Sequence, residues 1–151
     1  MSPPTEWGPP VWTLFHTIAE KINPDKFSEI SPQLFLHIKR ICTYLPCPEC
    51  SQHAVAFLNK VNFANIKTKT DLQNILYIFH NVVNKRKHKA AFDRTRVSEK
   101  YSGNNMIVVY NTFISVYQTR GNMKLLADSF QRRMVVQDFK RWMITNMVNF
   151  V

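Results

Sequence analysis

Two thiols stand three positions apart in Leu45-Pro46-Cys47-Pro48-Glu49-Cys50-Ser51-Gln52-His53, a spacing that serves redox chemistry or metal binding. Pro46 and Pro48 flank the first cysteine, and Ala54 to Leu58 continue a helical pattern, so the stretch reads as a helix start. Cys47 would sit near the positive helix end, where unpaired N–H groups favour thiolate over thiol. Cys50 would lie one turn further in on the same face. The pair can then close a short disulfide, with Cys47 the attackable sulfur and Cys50 the buried one. Two other readings stay open on spacing alone. Cys47, Cys50 and His53 could hold zinc with Cys42 as fourth ligand, although three of these would crowd one short helix. The cysteines could also be small core hydrophobes.

The helices that must position this pair can be read from apolar periodicity. Trp12, Phe15, His16, Ala19 and Ile22 share a face of a first helix over Trp7 to Ile22, which Asn23-Pro24-Asp25 ends. Ser31-Pro32 opens a second, lined by Leu34, Phe35, Ile38, Ile41 and Cys42 and running to about Leu45. The third begins at the cysteine pair and fades near Asn59. Asp71 caps or opens a fourth, with Leu72, Ile75, Leu76, Phe79, Val82 and Val83 as its buried stripe. Four amphipathic helices with short links predict an antiparallel bundle, whose core can hold a flat cofactor. His80 and Asn84 share one face of the fourth helix at i and i+4, either converging on a heterocycle or lying as ordinary surface residues.

Beyond Lys85 a basic stretch leads to Phe92, Val97 and Tyr101, a short fifth segment, and Ser102-Gly103-Asn104-Asn105 is the best internal boundary. Met106 to Thr119 fits helix or strand. Met123 to Val151 reads as two helices, with Leu125, Leu126, Phe130 and Met134 apolar in one and Phe139, Trp142, Met143 and Met147 in the other.

Composition narrows the class. The 151 residues include 3 Gly, are 45% hydrophobic and suit one helical domain. No run of about 18 apolar residues offers a membrane span, and Met1 to Glu6 lacks a signal sequence. A chain starting where it is written, in a cytosolic or similar compartment, is the expectation. Three cysteines cannot build a disulfide framework, which favours working chemistry at the pair. The net charge of +10 attracts polyanions, among them nucleic acid, a membrane surface or cofactor phosphates. The cations gather at 85 to 100 and 132 to 141 without aromatics interleaved on strand-like segments. A solvated basic surface is therefore expected ahead of sequence-specific nucleic-acid binding.

Several separated motifs carry a family resemblance. Trp7-Gly8-Pro9-Pro10-Val11-Trp12 matches W-G-x-x-x-W, with His16 four residues on; Cys47-Pro48-Glu49-Cys50 falls where a redox pair belongs. His80-Asn81-Val82-Val83-Asn84 fits H-N-x-V-N in full, and Phe92, Val97, Glu99 and Tyr101 keep the spacing of a closing stretch. Over roughly residues 7 to 101 the chain resembles the flavin-linked sulfhydryl oxidases of the Erv/ALR type, most closely the compact forms encoded by large DNA viruses.

The resemblance implies an all-α fold, four helices plus a short fifth binding FAD, as a domain over residues 1–103 that is usually homodimeric. Residues 104–151 form a mostly helical C-terminal extension outside it, left to widen a dimer interface, dock a partner or cover the bundle. By the same resemblance Cys47 exchanges with a dithiol protein, a thioredoxin-like carrier or a viral structural protein, and Cys50 passes two electrons to the isoalloxazine. Oxygen then takes them as hydrogen peroxide, in host cytoplasm or virion. Trp7, Gly8, Trp12, His16, His80, Asn81, Val83 and Asn84 belong to the implied flavin and adenine site. Lys100 and Tyr101 hold its adenine end, Lys89 lies near the phosphates, and His53 is a lesser contact. No metal is implied. The apolar residue and glycine that commonly follow H-N-x-V-N are here Lys87 and His88, and no second cysteine pair serves as a tethered shuttle. Cys42 reads as a free core thiol, with a bridge between subunits as its alternative. The rivals are a colourless zinc module using Cys47, Cys50, His53 and Cys42, and a basic nucleic-acid adaptor.

Overall fold

In a computed structural model, residues 4–118 and 126–151 are described. They form seven α-helices and no strand: α1 (Pro4–Lys21), α2 (Phe27–Thr43), α3 (Pro48–Asn59), α4 (Lys69–Arg86), α5 (Val97–Tyr101), α6 (Met106–Tyr117) and α7 (Leu126–Asn146). Short 3-10 turns cover Pro24–Lys26, Phe63–Asn65, Arg94–Arg96 and Met147–Phe150. The all-α class expected from periodicity is thus what the described residues adopt.

Local capping explains most of the boundaries. Asn23, Asn62 and Asp93 each turn a side-chain oxygen onto the backbone N–H two residues on, opening a 3-10 turn. Asn105 accepts from both Ile107 and Val108 N–H and starts α6. Helix α6 resolves the helix-or-strand ambiguity. Met106, Val109, Phe113 and Tyr117 form its buried stripe at helical spacing, while the β-branched Ile107 and Val108 face outward.

Two expected boundaries are corrected. Helix α2 starts at Phe27, not at Ser31-Pro32, and Pro32 lies inside it. The buried stripe already includes Phe27 and Ile30, so core packing outweighs the single backbone bond that proline removes. The C-terminal stretch is one helix instead of two, because no Gly or Pro interrupts residues 126–146. Within it Phe130 and Met134 are exposed, whereas Phe139, Trp142 and Met143 are buried. Leu125 lies outside the described residues.

The packing spreads more widely than a free-standing set of four helices. Helix α1 packs against α4, α5 and α6, while α2 packs against α3 and α7. One hydrophobic cluster runs through all of them but α5, joining Leu14, Phe15 and Ile18 of α1 to Phe113 and Tyr117 of α6 and Phe139 of α7.

Candidate redox and cofactor site

The cysteine pair sits where α3 begins. Cys47 is the extended N-cap residue, its Sγ accepts the Cys50 N–H at 3.2 Å, and Pro48 fills the first helical position, where no N–H is needed. A disulfide joins Cys47 to Cys50 with their Cα atoms 5.3 Å apart, within the ordinary span of such a bond. The preceding loop is pinned by Leu45 N–H donating to buried Ser51 Oγ at 2.9 Å. Cys47 is half-buried and Cys50 only 9% exposed, as expected for an attackable sulfur and a sheltered one.

Cys50 lines a cavity of about 40 Å³ walled by α1, α2, α3 and α4. Arg86 and Lys87 are its cations. Cys42, on α2, is in the same wall and fully buried, and burial pushes its thiol well above the usual range. No thiol is therefore presented there for a bridge between subunits.

A second cavity, about 230 Å³, shares Gly8, Trp12, Val83 and Lys87 with the first. Its remaining walls include His80, Asn84, Lys89, Phe92, Lys100 and Tyr101. Aromatic rings are layered here: Trp12 stacks on His80 with centroids 4.2 Å apart and planes 5° apart, and His16 stacks on Tyr101 at 4.7 Å. His16 Nε2 and His80 Nδ1 share a hydrogen bond of 2.9 Å, so one ring donates its N–H and the other accepts. Burial lowers the pKa of His16 to about 3, helped by His80 and Lys100. Burial likewise lowers that of His80 to about 4, helped by Lys100 and Lys89. Both rings are consequently neutral at physiological pH. The Lys100 ammonium lies 4.9 Å from the Phe92 ring centroid and 5.4 Å from that of Tyr101, within cation–π range.

Most residues singled out from the sequence meet at these two cavities; besides Cys47, three stand apart. Trp7, Gly8, Trp12, His80, Val83, Asn84, Lys89, Lys100 and Tyr101 line one or both. His16, 2% exposed, is behind His80 and braces it. Asn81 spends its amide on the chain itself, accepting from Phe92 N–H at 2.7 Å and donating to Phe92 O at 3.3 Å, and so ties the loop after α4 back onto that helix. His53 is exposed on α3, 3.9 Å from Glu49 and outside both walls. Sequence reasoning passed over Arg86 and Lys87, hidden in a basic run that reads as solvated surface. His88 takes a left-handed φ of 58°.

The rivals find less support in this geometry. Cys47 and Cys50 are bonded to each other, and among the described residues no three His, Cys, Asp or Glu side chains gather as a metal site. The 132–141 cations do not form one basic face, since Arg132 is 2% exposed and Arg141 is 3.7 Å from Asp138. Among the described residues, no helix is long and apolar enough to cross a membrane.

Comparison with known proteins points to one family. A model of the Erv1 / Alr family matches residues 9–102. A FAD-linked sulfhydryl oxidase of African swine fever virus (isolate Tick/Malawi/Lil 20-1/1983) is 31% identical over 83 residues, covering 55% of this chain and 69% of the relative. A vaccinia virus (strain Western Reserve) relative, OPG072, named a probable FAD-linked sulfhydryl oxidase, is 29% identical over 97 residues, covering 63% of this chain and 96% of its own. No solved structure matches at comparable significance.

Proposed function

The chain belongs to the Erv1 / Alr family and is a FAD-dependent thiol oxidase, and from that premise we propose the route by which it oxidises a dithiol protein. A substrate thiolate attacks Cys47 Sγ, the more accessible sulfur; the Cys47–Cys50 bond breaks and its electron pair goes to Cys50. The second substrate thiolate then attacks the mixed disulfide, releasing oxidised substrate and leaving Cys47 and Cys50 reduced. FAD, when bound, supplies the two-electron acceptance from this pair and the delivery to O2, as hydrogen peroxide, that no side chain can perform.

The residues present fit that cofactor. Trp7 Nε1 and Arg86 Nε are buried beside Cys50 with no hydrogen-bond partner among the described residues, so donors are free for ring heteroatoms. Gly8 lines both cavities, and a Cβ there would meet no heavy atom within 4 Å, leaving room beside the backbone. Trp12, His80 and Tyr101 offer aromatic faces to flat rings, Asn84 offers an amide, and Lys89 and Lys100 suit the pyrophosphate and adenine end.

The observation that carries the reading is that the sheltered sulfur of a disulfide and a cation-rimmed aromatic cavity share walls at Gly8, Trp12, Val83 and Lys87. The purified full-length chain is expected to be yellow, to lose its visible flavin absorbance on anaerobic addition of dithiothreitol, and to regain it in air. Cys47→Ser and Cys50→Ser should each abolish dithiol turnover while flavin absorbance persists. Wild-type turnover in either variant would break the route, and a chain that neither carries nor takes up flavin would overturn the assignment. The family reading extends to a homodimer acting in a viral setting, host cytoplasm or virion, and sedimentation of the flavin-loaded protein measures the first.

A further inference from the structure

The end of α4 delivers two successive cations to the wall of the Cys50 cavity. Arg86 is shared, its Nη1 3.7 Å from Oε1 of Glu49, which lies between the two cysteines, and its Nε buried with no hydrogen-bond partner among the described residues. Lys87 has no carboxylate partner among the described residues, although its side chain is partly buried. It is the C-cap residue of α4, its backbone N–H held by Val83 O and Lys85 O.

The cavity has a use for that charge. When a substrate thiolate opens the disulfide, no proton need move: the new bond forms to Cys47 Sγ, the old bond breaks, and the negative charge reappears on Cys50 Sγ. That sulfur is sheltered, and a buried thiolate without a counter-charge is costly. Cys42 shows what this wall does to an uncompensated sulfur, since burial alone holds its thiol neutral. The first turn of α3 offers Cys50 some positive potential, but its own N–H is committed to Cys47 Sγ. The charged and titratable groups around the sulfur are few: Arg86 and Lys87 from α4, Glu49 and Cys47 at the head of α3, and Cys42 from α2; α1 contributes only uncharged residues to this wall.

We propose that Lys87 is the counter-cation of the Cys50 thiolate, a positioning residue that makes Cys50 the better leaving sulfur and keeps it ionised once the disulfide is open. This rests on the disulfide-opening route above but not on a bound flavin. A cation lining the same small, sheltered cavity as an anion acts on it more strongly than one in open water. Lys87 gains as well, because burial, Lys89 and Arg86 now hold its pKa below the usual lysine range, and an adjacent thiolate would relieve that strain.

The test is the pH dependence of Cys50 alkylation by iodoacetamide in full-length Cys47→Ser protein as purified, with the label located at Cys50 by mass spectrometry. Adding Lys87→Leu should raise the titration midpoint, so that the thiolate fraction at neutral pH falls about tenfold. Lys87→Arg should stay within about twofold of the parent, since it keeps the charge. Lys87→Gln makes the same measurement if the leucine variant folds poorly. An unchanged titration in the neutral variants overturns the proposal. So does loss of flavin affinity with the Cys50 titration intact, which would put Lys87 on the cofactor phosphates. Because alkylation needs no flavin, a flavin-free protein would sink the oxidase assignment and leave this result readable.

Discussion

Burial, more than any neighbouring charge, sets the state of the two histidines beneath the aromatic cavity. His16 and His80 have their pKa values lowered to about 3 and about 4, below the ordinary 6.5. Between those values and 6.5 the unfolded chain binds more protons than the folded one, so stability rises with pH across that window and levels off above it. Urea midpoints should therefore fall progressively as pH drops from about 6.5 to 4, and His80→Gln should flatten part of that slope. An equal slope in wild type and variant would contradict the burial argument. Motif spacing marks both histidines as functional, but it cannot separate the ring that lines the cavity from the one that braces it. Asn81 makes the same point: its place in H-N-x-V-N suggests a cofactor contact, yet its amide holds the Phe92 backbone.

Helix α4 carries much of the site. Phe79, Val83 and Lys87, four residues apart, line the sulfur cavity with residues of α1 and α3, while His80 and Asn84, also four apart, line the aromatic one. Its register depends on a capping box. Thr68 Oγ1 accepts the Asp71 N–H at 3.1 Å, while Asp71 Oδ2 accepts from Thr68 N–H at 3.2 Å and from Lys67 N–H at 3.0 Å. Those bonds, foremost that from Lys67, hold the Asp71 carboxyl below its usual range. Thr68→Ala should cost about 1 kcal/mol and lower the melting temperature by about 2–4 °C, as calorimetry can check, with Cys47–Cys50 chemistry unchanged. The head of α4 is legible to within two residues, because capping is a local pattern: Asp71, expected to cap or open the helix, is its third residue, and Thr68 is the N-cap. The start of α2 was misplaced because its first buried residues, Phe27 and Ile30, are held by distant partners.

The C-terminal extension belongs to the same core as the helices that hold the cysteines. Tyr117, fully buried, donates its hydroxyl to Ile41 O at 3.0 Å, near the end of α2. Arg40 meets Asp138 at 2.6 Å, Trp142 Nε1 donates to Gln33 at 2.9 Å, and Asn23 N–H donates to Asn149 O at 2.7 Å. Phe113, Phe139 and Phe150 complete the seal over α1 and α2. A chain ending at Gly103 would expose that apolar surface. It should aggregate or lose its cooperative thermal transition by circular dichroism, whereas a soluble, cooperatively folding, flavin-binding fragment would show the extension to be dispensable.

What the residues alone determined is what depends on near neighbours: a cysteine pair at a helix start, helical periodicity outside residues 106–119, and the H-N-x-V-N face of α4. What only the tertiary structure decided rests on contacts between residues far apart in the chain. The hydrogen bond from His16 to His80 spans 64 positions, the Tyr117 tie to Ile41 spans 76 and the Trp142 tie to Gln33 spans 109. Local propensity carries no information about such pairings. The sharing of Lys87 between the sulfur cavity and the aromatic one, and the packing of α6 against α1, exist only once the helices have been brought together by burial of a common core.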